Sequence, residues 1–256
     1  MITKPLIIGN WKLHGNKNTI YDVFYPLIKF LKKQLINNSI MLLPPILYLH
    51  YAHKIIQNSS ILLGAQNVDL NVSGAFTGET SINMLKDIGV NYILVGHSER
   101  RIYHQENNMI IAKKFKLIKD HNCIPILCIG ETQEQKNNNQ TKSIIRKQLN
   151  LIFSLCGESA FNNTIIAYEP VWSIGTGTIP NEQTIQNIHE YINNYIKHKY
   201  EGQNIDNNIS IIYGGSVNKY NIKNILHTNN VDGVLIGKGS LDYSTFSNLI
   251  KLSHNE

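Results

Sequence analysis

The sequence predicts an α/β fold, a closed (β/α)8 barrel with parallel strands, and three observations lead to this prediction. Short apolar runs recur along the 256 residues, amphipathic helical patterns lie between them, and no break in composition divides the chain. Continuous apolar runs are typical of parallel strands that are covered on both faces. Eight strand–helix units in a chain of this length fit a closed barrel, so we expect a single domain that spans residues 1–256.

The strand candidates are apolar runs that follow one another along the chain. They cover residues 6–8, 40–43, 61–63, 92–95, 124–129, 164–168, 209–213 and 231–236. Between them, apolar residues recur at spacings of three and four over 20–31, 145–153 and 185–196, which predicts amphipathic helices there. The polar segment 202–208 is typical of a connecting turn.

A doubly wound open sheet is the alternative for the same alternation of strands and helices. Such sheets usually carry a Gly-x-Gly-x-x-Gly turn after the first strand, where it binds a dinucleotide. Here the first strand is followed by Gly9, Asn10, Trp11 and Lys12. The sequence at this turn therefore favours the barrel.

Charge and cysteine content narrow the classes of function. The net charge of +6 and the pI near 9.0 suggest a nucleic-acid-binding protein, but the lysines are scattered and no aromatic residues interleave with them. A mildly basic solvated surface explains this pattern better, and a nucleic-acid complex would weaken steeply with salt. Cys123, Cys128 and Cys156 are too few for a disulfide framework and lack metal-ligand spacing. We expect reduced thiols, no metal, no signal peptide, no membrane span and a cytoplasmic location.

The stretch after the sixth strand carries the strongest functional signal. Glu169 follows the apolar run at its exit, where a carboxylate does not easily stay charged inside a core. After it come a rigid start at Pro170, the large aromatic Trp172 and the flexible tip 175–177, a combination typical of a loop that closes over a ligand. We name residues 170–180 the lid and interpret Glu169 as a base in a water-excluded site. The alternative is a surface glutamate followed by an ordinary turn.

Polar and glycine-rich segments follow several other strands, and in such barrels the active site forms at the carboxyl ends of the strands. The residues there are Asn10 and Lys12 after the first strand, His97 after the fourth, Ser216 after the seventh, and Gly237 and Lys238 after the eighth. Each signal is weak by itself, because a lone lysine is usually solvated, a lone histidine is usually structural and a glycine pair is usually a turn. Their convergence on one mouth of the barrel is specific.

The glycine-rich ends of strands seven and eight predict a phosphate site, because barrels of this type often bind phosphate there. Backbone N–H groups of Ser216 and of the residues after Gly237 would face the anion, and Gly175 in the lid adds another. No acidic cluster suited to Mg²⁺ accompanies these loops, which argues against phosphoryl transfer. We therefore interpret the phosphate as a handle on the substrate.

Glu169, His97 and Lys12 together suit proton abstraction next to a carbonyl group. Glu169 takes the carbon-bound proton, His97 polarises the carbonyl oxygen, and Lys12 stabilises the negative charge that develops. No cofactor motif is visible, so we expect a cofactor-free reaction whose product is an isomer of the substrate. The alternative is a barrel that binds a phosphosugar without turnover, which would require the loss of one of these groups.

Short motifs along the chain match one known family in the family's own order. They are residues 9–12, 64–67, 74–80, 96–101, 128–132, 167–172, 174–177 and 213–217. On these motifs the sequence resembles the triosephosphate isomerases from end to end. The resemblance implies a TIM barrel and a cofactor-free isomerase of glycolysis and gluconeogenesis. Its implied reaction interconverts dihydroxyacetone phosphate and D-glyceraldehyde 3-phosphate through an enediolate.

The resemblance also implies roles for individual residues. By match, Glu169 is the base and His97 the electrophile, while Glu99 supports the site near Lys12. The implied substrate-binding residues are Asn10, Lys12, Gly175, Ser216, Gly237 and Lys238.

The resemblance further implies a homodimer in which the loop 74–80 of one chain inserts into the other. Thr77 is then expected near the partner's Asn10 and Lys12. Phe76 supports this expectation, because an aromatic side chain in a polar-flanked loop is hard to explain on a free surface. We expect no nucleic-acid and no membrane partner.

Two departures from the family's pattern concern the phosphate loop and the lid. The last phosphate loop commonly has paired glycines, whereas the second position here is Lys238. The lid commonly ends in Lys-Thr-Ala or a similar sequence, whereas here it ends in Thr178, Ile179 and Pro180. Pro180 fits either a stiff part of the hinge or the first turn of the next helix. Neither departure touches the base or the electrophile.

Overall fold

Parallel strands close into a barrel in the computed structural model, which describes residues 2–34, 36–157, 159–199 and 208–254. Each strand pairs with the next along the chain, and the last returns to pair with the first. The strands are β1 (Leu6–Asn10), β2 (Ser39–Leu43), β3 (Leu62–Ala65), β4 (Tyr92–Val95), β5 (Ile124–Ile129), β6 (Thr164–Tyr168), β7 (Ile209–Tyr213) and β8 (Gly233–Ile236). The predicted closed barrel is confirmed, and every predicted apolar run contributes a strand.

The helices lie between the strands along the chain, as the alternating pattern predicts. They are α1 (Lys17–Lys33), α2 (Leu49–Ile56), α3 (Ile82–Asp87), α4 (Ser98–Tyr103), α5 (Asn108–Asp120), α6 (Gln133–Asn137), α7 (Thr141–Cys156), α8 (Glu182–Lys199), α9 (Ile222–His227) and α10 (Tyr243–Ser253). The predicted helical segments lie inside α1, α7 and α8. Of the predicted connection 202–208, residues 202–207 lie outside the described residues. Within the described ranges, no helix is long and apolar enough to cross a bilayer.

Four strands begin or end away from their predicted positions. β1 runs on through Gly9 and Asn10, and β2 begins one residue earlier, because these residues make regular backbone pairs between the two strands. β3 is shifted towards Ala65, which pairs with β4. β8 begins only at Gly233, which lies so close to Leu6 that any Cβ would overlap the Leu6 carbonyl group. Small and polar residues at strand ends escape a search for apolar runs, because the backbone makes the pairing.

The alternation of side chains along each strand divides the core into two layers. Leu6 and Ile8 belong to the cluster inside the barrel, together with residues such as Ile126. Ile7 belongs to the outer cluster, which includes helix residues such as Phe24. Because side chains fill the barrel interior, a ligand binds at an end of the barrel rather than inside it.

A fully buried histidine, His189 on α8, packs against Tyr168 of β6. Its Nδ1 donates to the carbonyl oxygen of Asn230 at 3.0 Å, while its Nε2 has no hydrogen-bond partner among the described residues. Burial lowers the pKa of His189 to about 4, because the imidazolium is desolvated; the Asn230 carbonyl and the charge of Asp232 offset only part of this effect. The imidazole is therefore neutral in the fold at neutral pH.

We expect the free energy of unfolding to fall as the pH is lowered from 6.5 to about 4. The unfolded chain binds a proton on this imidazole near its ordinary pKa, whereas the folded chain resists protonation down to about 4, so protonation favours the unfolded state across this window. The loss from His189 reaches about 3 kcal/mol by the lower end of the window.

Urea unfolding at a series of pH values measures this effect. His189→Asn should remove its share of the pH dependence, whereas His50→Asn, which changes an exposed histidine on α2, should retain it. The same pH dependence in His189→Asn and in the unsubstituted protein would contradict the assignment.

Candidate active site

A cavity of about 350 Å³ lies at the carboxyl ends of the strands and collects every predicted catalytic, supporting and substrate-binding residue. Its lining includes Asn10, Lys12, His97, Glu99, Glu169, Gly175, Ser216, Gly237 and Lys238. A wider groove of about 830 Å³ runs between α8 and α9, but amide and apolar side chains make up most of its lining. We place the site in the smaller cavity, because the groups capable of acid–base chemistry converge there.

Glu169 directly follows β6, and its carboxylate is closely packed. The residue is only 3% exposed. Its Oε2 accepts a hydrogen bond from the backbone N–H of Ser98 at 3.4 Å, and its Oε1 lies 3.4 Å from Nε2 of His97. Two glycines make room for this residue, Gly214 beside its side chain and Gly130 beside its backbone. A Cβ on Gly214 would lie 2.7 Å from Cγ of Glu169, and a Cβ on Gly130 would overlap its carbonyl group.

His97 presents a hydrogen-bond donor to the same space. It stands at the N-cap of α4, where its Nδ1 accepts a hydrogen bond from the backbone N–H of Glu99 at 3.3 Å. A neutral imidazole carries one ring proton, so an accepting Nδ1 places that proton on Nε2. Nε2 is the atom that faces Glu169, and it can therefore donate to an oxygen bound between them.

Lys12 is held by its backbone and by its ammonium group. Its φ of 52° lies in the left-handed region, which is unusual for a residue with a side chain and is often found at functional sites. The side chain of Asn10 stabilises this turn, because its Oδ1 accepts from the Lys12 N–H at 3.0 Å. The Lys12 ammonium lies 2.6 Å from Oε1 of Glu99, which orients the cation at the cavity wall.

The predicted phosphate-binding residues line the same cavity. Ser216 follows β7, and its hydroxyl donates to the carbonyl oxygen of Ser173 at 2.6 Å. Gly237 precedes a 3₁₀ turn at Lys238–Ser240. The N–H groups of Ser240 and Leu241 donate to the carbonyl oxygens of Gly237 and Lys238 in this turn. Gly175 has a φ of 70°, which favours glycine, and a Cβ there would meet no other atom within 4 Å.

A buried carboxylate that the sequence reasoning missed, Glu131, anchors the start of the lid. Its Oε1 accepts from Nε1–H of Trp172 at 2.9 Å and from the hydroxyl of Tyr168 at 3.2 Å. Burial raises the pKa of Glu131, and these donors oppose the rise. Lys136 places its ammonium 3.4 Å from the centre of the Trp172 ring. The available signal was the position of Glu131 just beyond β5, where a carboxylate ends an apolar run.

At the far end of the lid, Pro180 lies outside the following helix. α8 begins at Glu182, and the side chain of Asn181 caps it by accepting from the N–H of Thr184 at 2.8 Å. Pro180 therefore lies one residue before the cap rather than in the first helical turn, which was one of its two predicted alternatives.

The two predicted dimer-contact residues, Phe76 and Thr77, stand apart from the cavity, since neither belongs to its lining in the described structure. Phe76 is 48% exposed. A second cavity of about 440 Å³ shares Asn10, Lys12, His97 and Glu99 with the site. It opens beside Leu13, a leucine that is 94% exposed.

Comparisons with known proteins agree with this geometry. The family model described as triosephosphate isomerase matches residues 5–253. A protein named triosephosphate isomerase from Buchnera aphidicola subsp. Baizongia pistaciae is 51% identical over 250 residues, covering 96% of this chain and 98% of the relative. A protein of the same name from Buchnera aphidicola subsp. Schizaphis graminum is 50% identical, covering 98% of both chains. One from Photorhabdus laumondii is 44% identical, covering 96% of both chains.

We expect Lys136→Ala to increase the collisional quenching of Trp172 fluorescence by acrylamide, because the lysine side chain no longer covers the indole. Trp11, the other tryptophan, is fully buried and supplies a constant background. Lys142→Ala is the matched control, since that lysine covers the ring of Tyr191 instead. Equal quenching in Lys136→Ala and in the unsubstituted protein would contradict the contact.

Proposed function

The chain belongs to the triosephosphate isomerase family and is an isomerase that interconverts dihydroxyacetone phosphate and D-glyceraldehyde 3-phosphate, and we propose that Glu169, His97 and Lys12 carry its chemistry. The observation that supports these roles most directly is the placement of a buried carboxylate 3.4 Å from Nε2 of His97, in the cavity that Lys12 also lines. The reaction requires no cofactor in this proposal.

Glu169 removes the proton from the carbon next to the substrate carbonyl and later returns it to the neighbouring carbon. The electrons of the broken C–H bond form the C=C bond of the enediolate while the carbonyl π electrons move onto oxygen. The two substrate oxygens carry the developing negative charge, and the proton of the hydroxyl group passes to the former carbonyl oxygen before the neighbouring carbon is protonated. Nε2–H of His97 donates to these oxygens, and the Lys12 ammonium stabilises the charge. Asn10 and Glu99 position Lys12 through its N–H and its ammonium group.

The substrate phosphate binds through the hydroxyl and backbone N–H of Ser216 and the backbone N–H groups of Gly175, Gly237 and Lys238. The Lys238 side chain is exposed, which supports a contact through its backbone rather than through its ammonium group. With the phosphate held there, the reacting carbons lie towards Glu169 and His97, which line the same cavity.

We expect Glu169→Gln to lower kcat by at least about 100-fold, since an amide cannot accept the carbon-bound proton and a positioned base contributes on this scale. A coupled assay in both directions measures turnover, and circular dichroism checks the fold. Glu190→Gln, which changes an exposed glutamate on α8, is the matched control and should keep the activity.

Activity of Glu169→Gln within a few-fold of the unsubstituted protein would refute its role as the base. A phosphosugar-binding barrel without turnover is the alternative function. Binding of dihydroxyacetone phosphate with no conversion by the unsubstituted protein would favour that alternative.

We further infer that the protein acts as a homodimer in the cytoplasm, with the barrel as the single domain of residues 1–256 and without a nucleic-acid or membrane partner. The loop that carries Phe76 and Thr77 would cover the second cavity of the partner chain. Three observations support this pairing: the cavity shares Lys12 with the active site, it borders the exposed Leu13, and Phe76 is half exposed.

Phe76→Glu should therefore convert the dimer to a monomer and lower activity, because a charge replaces an apolar contact and the Lys12 side of the site loses its cover. Sedimentation velocity and the coupled assay on the same samples measure both effects. Tyr220→Glu changes a more exposed aromatic residue elsewhere and should alter neither. A monomeric Phe76→Glu variant with full activity would contradict the link between association and catalysis.

A further inference from the structure

Arg101 on α4 is a partly buried arginine that lies outside the lining of the reaction cavity. Its guanidinium donates three hydrogen bonds in the described structure, all to uncharged oxygens. Nε donates to the carbonyl oxygen of Gly96 at 2.7 Å, and Nη2 donates to that of Cys128 at 3.0 Å. Nη1 donates to Oδ1 of Asn108 at 2.6 Å. Burial lowers the pKa of Arg101 because the guanidinium is desolvated, so these bonds are costly to lose and fix its position.

The two carbonyl groups lie where β4 and β5 stop pairing with each other. The regular backbone pairing of these strands runs as far as Val95 and Leu127. The next residue along each strand is Gly96 or Cys128, and Arg101 binds both of their carbonyl oxygens. The guanidinium therefore connects the two strands one residue beyond their last backbone pair.

The backbone at Gly96 is shaped for this contact. Its φ of 75° lies in the left-handed region, which favours glycine. A Cβ there would lie 2.9 Å from the Cys128 carbonyl oxygen and 3.0 Å from Nη2 of Arg101. Any side chain at this position would push the guanidinium away, so the glycine admits it between the strand ends.

The turn that Arg101 holds is the one that supplies the hydrogen-bond donors beside Glu169. Within residues 96–98, the N–H of Ser98 and Nε2 of His97 each lie 3.4 Å from a Glu169 carboxylate oxygen. Arg101 binds this turn at two points. Its side chain holds the Gly96 carbonyl, and its backbone N–H donates to the carbonyl oxygen of His97 at 3.2 Å. A shift of the Gly96 peptide group therefore moves the imidazole of His97.

We propose that Arg101 is a positioning residue for the isomerisation, which holds Nε2 of His97 in place by joining the carbonyl oxygens of Gly96 and Cys128. The planar geometry of the guanidinium is what matters, because one rigid group has to meet two carbonyl oxygens on different strands. This inference rests on the proposed function, because it uses the role of His97 assigned there.

Arg101→Lys tests the geometry, because it keeps a positive charge and removes the planar set of donors. We expect kcat to fall by about 10- to 100-fold, since a displacement of a catalytic group by about 1 Å has an effect on this scale. KM should change by less than about twofold, because the interactions that bind the substrate in its ground state are retained and Arg101 lies outside the cavity lining.

Binding measurements give a readout that does not depend on turnover. A phosphorylated hydroxamate carries two adjacent oxygens that resemble those of the enediolate, and an enzyme binds such an analogue through groups aligned for the transition state. Arg101→Lys should weaken its binding by about the same factor as kcat. Inorganic phosphate, which needs no contact with His97, should bind unchanged.

Chemical rescue separates geometry from charge. The Arg101 side chain lines a pocket of about 240 Å³ that also borders the exposed Lys147, so Arg101→Ala leaves a space that a small cation can enter. Methylguanidinium at low millimolar concentration should restore kcat of Arg101→Ala several-fold. Methylammonium has the same charge without the planar donors and should leave kcat unchanged.

Two control variants separate positioning from a general loss of stability. Arg146→Lys makes the same change in an exposed arginine on α7 and should keep both kcat and thermal stability. Lys119→Met removes a partly buried cation on α5 that donates to the carbonyl oxygen of Asn162. It should lower thermal stability and leave kcat and hydroxamate binding unchanged.

Full kcat in Arg101→Lys, or a loss confined to KM, would overturn the positioning role. Equal rescue of Arg101→Ala by the two cations would overturn it as well, since charge alone would then be sufficient. If Arg101→Ala does not fold, the measurements on Arg101→Lys decide the question. Failure of the proposed role of His97 gives a different result, because His97→Asn would then keep its activity. If only the positioning role fails, His97→Asn is impaired and Arg101→Lys is active.

Discussion

The burial of the Glu169 carboxylate at the end of β6 is the constraint on which the rest of the site depends. A carboxylate removed from water needs hydrogen-bond donors and space. Ser98 and His97, which follow β4, supply the donors, while Gly214 after β7 supplies the space. This single side chain therefore constrains the residues at the ends of two other strands. Only a sheet whose carboxyl ends meet at one mouth can satisfy all of these requirements.

The lid is attached to the barrel through two buried polar centres rather than through apolar packing alone. Glu131 accepts a hydrogen bond from the indole N–H of Trp172. Ser173 accepts hydrogen bonds from the hydroxyls of Tyr213 and Ser216. Buried hydrogen-bonding groups are costly to leave unpaired, so each centre favours particular lid positions over intermediate ones.

The carboxyl end of the barrel carries both the reaction cavity and the second cavity, where we propose that two chains associate. Asn10, Lys12 and His97 line both the reaction cavity and the second cavity beside the exposed Leu13. Lys12 keeps a left-handed backbone there, which neighbouring groups have to stabilise. Within one chain Asn10 supports this backbone, and Glu99 holds the Lys12 ammonium group. A partner loop over the second cavity would add to it from the other side.

The sequence by itself determined the barrel, the helices at α1, α7 and α8, and the positions of Glu169 and His97. Apolar periodicity is a local property, and residues at the exits of buried strands are visible in order along the chain. Only the tertiary structure decided where β1 ends, where β8 begins, which group anchors Trp172, and what Ser173 contacts. Those features depend on partners distant in the sequence, such as Glu131 to Trp172 and Ser173 to Tyr213. Such pairs form because closure of the barrel brings strand ends together, and no local pattern records which side chains then meet.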